Sequence, residues 1–305
     1  MKPDDSSLSP VDLQFIERRA SSLLDRADAW NRYPVPIEDL LAAAEVKLAT
    51  HSLFDPSNLL AYLKGKAEDV ASNVKSAVSK ILGIYDAAEN LIHVDATVGT
   101  SKQIFLKLHE TGHHDIPTHK KLFRFFQDCE KTLSPEIADQ FEREANNFAR
   151  FVLFKGDAFM RQAADHPFEI KTPIKLASVF GASIYASARE FARTNTRACV
   201  VYVLEPIEFA DGVGAFAKVR RVEPSSSFRA QFGYPTDETV TSAHFLGPLL
   251  PIGRRMTRPT VVSYVDLNGT AHECVAEAFD TKHNVLFLMY PIRALTSSTV
   301  ALTVS

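Results

Sequence analysis

Residues 104–116 read Ile-Phe-Leu-Lys-Leu-His-Glu-Thr-Gly-His-His-Asp-Ile, and no other stretch constrains the chain as much. They contain His109-Glu110-Thr111-Gly112-His113, an H-E-x-x-H pattern. Ile104, Phe105, Leu106 and Leu108 supply an apolar body, and no proline intervenes before Pro117, so a helix is expected. Residues four apart on a helix lie one turn apart on the same face. His109 and His113 can therefore aim two imidazoles at one tetrahedral Zn²⁺. Glu110 stands beside them, where a carboxylate can act as general base on a water. The same five residues also suit an amphipathic helix with two surface histidines, and the rest of the chain decides between the two.

Composition narrows the class. The 305 residues are 46% apolar and 23% charged, ordinary for a globular chain long enough for two or three domains. A net charge of −3 gives no global bias toward nucleic acid or an anionic membrane. Cys129, Cys199 and Cys274 are few, odd in number and without C-x-x-C spacing. That argues against a disulfide framework or a cysteine zinc site and fits a reducing cytoplasm. The polar opening MKPDDSSLSP has no apolar core of a signal peptide, and no run reaches the length of a membrane helix.

Helices are expected at 9–31, with Ser9 as cap, Pro10 in the first turn and Trp30 in a core, at 37–48, and less periodically at 56–78. Two strand-like runs, 80–86 and 91–95, flank Ala-Ala-Glu-Asn and predict a hairpin whose edge could pair with an extended peptide. His93 in the second run reads as a half-buried strand residue. After the motif, 120–129 carries Phe123, Phe125 and Phe126, which read as core. A further helix is expected over 134–154, with Phe141, Ala145, Phe148 and Val152 as its buried stripe.

That helix holds the candidates for a third ligand, since a catalytic zinc with two histidines takes one more protein ligand and keeps an open position. Glu142 and Glu144 both qualify by type. On a wheel of about 100° per residue, Glu144 falls roughly 70° and Glu142 roughly 90° from the stripe's centre, on opposite sides. Periodicity leaves both open, including the reading in which they are solvated partners of Arg143 and Arg150.

HETGH followed by EREANNFARFVL resembles the ImmA/IrrE family of zinc metallopeptidases, over about residues 33–155. The Pro-Val-Pro-Ile-Glu-Asp-Leu segment from Pro34 and the hairpin also fit. The resemblance implies that the glutamate before Ala-Asn, Glu144, completes a metal site with His109 and His113, and that Glu110 is catalytic. It further implies that the partner is a protein substrate, a helix-turn-helix repressor whose cleavage derepresses stress-response or mobile-element genes. Thr111, where a bulky aliphatic residue is usual, and Leu153-Phe154-Lys155, where Leu-Met-Pro is common, depart from the pattern. For the oxyanion-stabilising donor, Tyr85, His114 and His119 are candidates by proximity in sequence.

The expected fold class is α+β in three parts. Residues 1–160 form a zincin-like metallopeptidase domain. Residues 161–196 form a helix-turn-helix-like segment around Gly181-Ala182 and Ser183. Residues 197–305 form a β-rich domain, similar in position to the GAF-like sensor domain of the IrrE branch. Its strands are read at 198–204, 215–222, 260–265, 273–279 and 285–290, with a tight turn at Asn268-Gly269 and a polar loop at 225–235. Lys171, Lys175, Arg189, Arg193 and Arg197 make the second part mildly basic, a weak footprint that ranks DNA below a protein partner. His244, His272, Glu273 and His283 lack ligand spacing. The competing expectation is a non-catalytic DNA- or protein-binding regulator, or an antitoxin-like module, with a structural or empty metal site; such a site has no need of Glu110.

Overall fold

The computed structural model describes residues 7–49, 83–87, 89–127, 135–212 and 214–292. The side chains of 123–127 and 135 lie outside that description, as do Cys129 and the expected helix at 56–78. The molecule is α+β and divides into two compact units, residues 1–159 with 177–183, and residues 160–176 with 184–305.

The first unit begins with α1 (Pro10–Arg26), for which Ser9 is the N-cap: its hydroxyl accepts the Asp12 N–H at 3.2 Å. Ile16, Ala20, Leu23 and Leu24 form its buried stripe. Trp30 beyond the helix is half-buried, and its Nε1–H donates to Asp25 at 2.6 Å. The segment expected as one helix at 37–48 is instead α2 (Ile37–Ala43) followed by β1 (Lys47–Leu48). Glu45, at φ 58°, makes the break between them. The predicted hairpin forms from β2 (Gly83–Asp86) and β3 (Leu91–Val94), and β1 adds in parallel to give the sheet order β1-β3-β2. β2 is thus an edge strand, and His93 in β3 is buried.

The motif lies in α3 (Thr100–Asp115), one turn longer at its start than the apolar run suggests. It leads through Ile116 into α4 (Pro117–Gln127), then α5 (Pro135–Phe154) and α6 (Ala158–Ala164). Beyond α5, Lys155 takes φ 54° and is wholly buried. Its ammonium donates to the carbonyls of Ala29 and Arg32 and lies 3.9 Å from the Tyr33 ring centroid. Burial lowers this lysine to about 8. The end of α5 is thereby fastened to the segment that follows α1 by two hydrogen bonds from one buried ammonium.

The segment expected as helix-turn-helix-like contains two helices, α7 (Lys171–Phe180) and α8 (Ile184–Thr194), with Gly181 at φ 70° between them. In the second unit, β4 (Val200–Leu204), β5 (Glu208–Ala210), β6 (Gly214–Pro224), β7 (Thr239–Thr241), β8 (Thr260–Val265), β9 (Ala271–Asp280) and β10 (Val285–Pro291) form an antiparallel sheet. Its order is β5-β6-β4-β10-β9-β8, with β7 also on β6. The central strands, VVYVL and VLFLM, are buried along their length, which is why they read as unbroken apolar runs. The stretch expected as a polar loop at 225–235 contains α9 (Ser226–Phe232). Ser225 caps it, and Phe228 and Phe232 drop into the core, so two phenylalanines four apart carried the signal that polarity hid.

Candidate metal centre

α3 and α5 cross beside β2, and the side chains of the motif turn inward: His109, Glu110, Thr111 and His113 are all buried. The Nε2 atoms of His109 and His113 lie 3.2 Å apart. The Glu142 carboxylate meets both, Oε2 at 3.3 Å from His109 and Oε1 at 3.5 Å from His113. Donor atoms of His109, His113 and Glu142 all fall within 4.8 Å of one another, so these three residues could hold a metal ion. Two imidazole nitrogens and one carboxylate oxygen form a donor set suited to a borderline-soft divalent ion, with coordination positions left for water or substrate.

Glu144 is not the third member of this group, contrary to what the resemblance implied. It pairs instead with His119, whose Nε2 is 2.8 Å from Oε2, and it accepts the Gln140 amide at 2.8 Å. The reason is helical geometry. Residues two apart point about 200° apart, so one helix cannot turn both glutamates to one point. Residues four apart share a face. Glu142 and Asn146 accordingly meet His109 together, with Asn146 Oδ1 3.1 Å from His109 Nδ1. Gln140 and Glu144 make a second stripe, from which Glu144 meets His119. Both pairs have the same spacing of four, so the spacing alone does not choose between the two glutamates.

Glu110 accepts a hydrogen bond from the Tyr85 backbone on β2. Burial, reinforced by the charge of Glu142, pushes its carboxyl up to about 7 against the opposing pull of His109. A carboxyl in that range can exchange a proton near neutrality. Burial pushes the His113 ring down to about 4 despite its hydrogen bond with Glu142, and burial also lowers His119. Both rings are neutral at neutral pH. Burial works against charging His109 as well, but the hydrogen bond with Glu142 and the two nearby carboxylates outweigh it and raise that ring. Burial would raise Glu142, yet its hydrogen bonds with the two histidines hold it well below the usual carboxylate range.

Thr111, the departure from the resembled pattern, is wholly buried, and its hydroxyl donates to the Lys107 carbonyl at 2.7 Å. The polar atom is satisfied within its own helix. The three residues near the motif considered as oxyanion donors divide into two sets. Tyr85 Oη lies 2.7 Å from His114 Nδ1, with Lys120 Nζ 3.3 Å from the other nitrogen of that ring. His119 is turned to His113 and Glu144.

In the second unit the basic residues of α8 face inward. Arg189 and Arg193 both donate to Glu223, at 3.1 and 2.9 Å, and Arg189 is buried. His244 is paired with Asp237 and His272 with Asp266.

No family model matches the chain, and no curated protein matches it. Among solved structures, it is similar to a Mycobacterium tuberculosis transcriptional regulator, with a TM-score of 0.53 and 12% identity over 91% of this chain and 76% of that one. At that identity the likeness concerns the fold alone. Among the described residues, no helix is long and apolar enough to cross a membrane.

Proposed function

We propose that the chain is a zinc-dependent endopeptidase. The observation that carries this reading is the convergence of buried His109 and His113 with the half-buried Glu142, with the buried carboxyl of Glu110 beside them and raised to about 7. The first three residues would hold the ion, and the resident zinc would supply Lewis-acid chemistry that acidifies water and polarises a carbonyl. Glu110 takes the proton from the attacking water and delivers it to the leaving amine. The Tyr85 backbone N–H steadies that carboxyl during the exchange. Asn146 accepts the Nδ1 proton of His109 and so leaves its Nε2 toward the site.

The substrate in this reading is a helix-turn-helix transcriptional repressor, whose cleavage would release stress-response or mobile-element genes. The ImmA/IrrE resemblance of the two helices supports it. The test is co-expression of a candidate repressor with wild type and with Glu110→Gln. Cleavage by the wild type alone is expected, and equal cleavage by both would remove Glu110 from the chemistry.

A second reading has one observation in its favour: the similar solved structure is described as a transcriptional regulator. In it the chain acts by binding, and the metal site is structural or empty. Metal analysis of purified protein separates the empty-site form, because a chain that holds no zinc and gains none on titration cannot hydrolyse by the proposed route, and the Glu110→Gln comparison separates the structural-site form.

A further inference from the structure

His113 has a second partner that metal coordination alone does not explain. Its Nδ1 lies 3.0 Å from Nδ1 of His119, and His119 Nε2 lies 2.8 Å from Glu144 Oε2. His119 is wholly buried and stacks on Phe141, with ring centroids 3.8 Å apart and planes inclined by 24°. Glu144 is fixed in turn by the amide of Gln140 at 2.8 Å.

We propose that His119 and Glu144 are positioning residues for His113, holding it in the one tautomer that can bind a metal. The inference rests on the metal reading given above. A neutral imidazole carries one proton, and a ring that ligates through Nε2 must carry it on Nδ1. Two N–H groups cannot hydrogen-bond to each other, so His119 must then present a bare Nδ1 and carry its own proton on Nε2. That proton faces a carboxylate, which only accepts. Glu144 therefore sets the direction of the whole chain: His113 donates to His119, and His119 donates to Glu144. Without the Glu144 acceptor, His119 is free to protonate at Nδ1. The His113 proton then moves to Nε2, the nitrogen turned toward His109 and Glu142, and the lone pair is lost to the ion. The glutamate beside Ala145-Asn146 thus keeps a part in the site, one ring removed from the place where the resemblance put it.

The tautomers can be read directly. In the full-length zinc-loaded protein labelled with ¹⁵N-histidine, where Glu142 no longer competes for the His113 proton, long-range ¹H–¹⁵N spectra should show His119 protonated at Nε2. A His119 protonated at Nδ1 overturns the proposal without any variant. Zinc affinity, measured by competition with a chromophoric chelator, should fall about 10- to 100-fold in Glu144→Leu and in His119→Phe, the range for lost outer partners of a ligand. Glu144→Gln retains an oxygen acceptor and should stay within about threefold of wild type, a rescue that a merely packed side chain would not give. Melting of the metal-free variants shows whether each is folded. If both disruptive variants bind zinc as tightly as wild type, the positioning role is wrong and the metal centre stands. If wild type takes up no zinc, the metal reading fails and the positioning role goes with it.

Discussion

A β-carbon placed on Gly83 would stand 2.6 Å from Oε1 of Glu110. Gly83 opens the edge strand β2, and its backbone is not in the left-handed region, so an alanine there would collide with the carboxyl and not strain the chain. Gly83→Ala should push the Glu110 carboxylate off its Tyr85 hydrogen bond while leaving His109, His113 and Glu142 in place. Hydrolysis should fall by about 10- to 100-fold, the range in which a misplaced proton-transfer group costs rate, with zinc content unchanged. Metal analysis alongside a cleavage assay checks this; loss of zinc in the variant would show that the strand positions the ligands too.

The raised Glu110 carboxyl makes metal-free stability depend on pH. Its folded value is about 7 against an ordinary 4.5, so the folded state holds this proton more tightly than the unfolded state. The stability this group contributes is fully present below 4.5 and is lost as pH rises through about 7. Its size is roughly 3 kcal/mol. Glu110→Gln has no such proton to lose. Relative to wild type, the glutamine variant should therefore gain stability from pH 4.5 to 7 and level off above. Urea unfolding of both metal-free proteins at pH 5 and pH 8 measures it, and a difference that does not change with pH contradicts the burial of this charge.

Asp115 closes α3 and receives both Arg19 and Arg26 from α1, at 2.9 and 2.7 Å, while Arg19 also donates to its backbone carbonyl at 2.6 Å. The carboxylate is 5% exposed, whereas the two arginine side chains are 31% and 40% exposed, so solvent screens part of the attraction. Asp115→Ala should cost about 2 kcal/mol of stability, between the values for exposed and buried pairs. Arg26→Ala should cost less, because Arg19 still satisfies the carboxylate. Thermal or denaturant unfolding of the two variants gives the order.

The paired arginines of α8 also predict behaviour toward DNA. Arg189 and Arg193 are engaged by Glu223, leaving Lys171, Lys175 and Arg197 as the exposed cations of the basic set. Fluorescence anisotropy with a labelled duplex at low salt should show no binding that survives physiological salt, since three cations supply only a shallow electrostatic footprint. A salt-resistant complex would reverse the ranking of DNA below a protein partner.

Much of this architecture could be read from the chain because its signals are local. The spacing of His109 and His113, the Ser9-Pro10 start and the Asn268-Gly269 turn each act within a few residues. The hairpin before the motif follows from two apolar runs around a short polar stretch. The choice between Glu142 and Glu144 could not be read the same way. It depends on where α5 lies against α3, and an apolar stripe fixes that orientation too coarsely to separate two border positions. His119 was beyond reach for a related reason. Its partners sit six residues before it and twenty-five after it, so only the meeting of three helices turns it from an oxyanion candidate by proximity into a neighbour of His113 and Glu144.

Gly112 lies so near Phe148 that an added β-carbon would meet the ring at 3.1 Å. The gap between α3 and α5 is therefore gauged by a glycine pressed on a phenyl ring, and carbon sets the width of the jaw that nitrogen and oxygen line. The donor atoms of His109, His113 and Glu142 thus gather where carbon packs on carbon, whereas in zinc fingers the ion's own binding energy draws the ligands together.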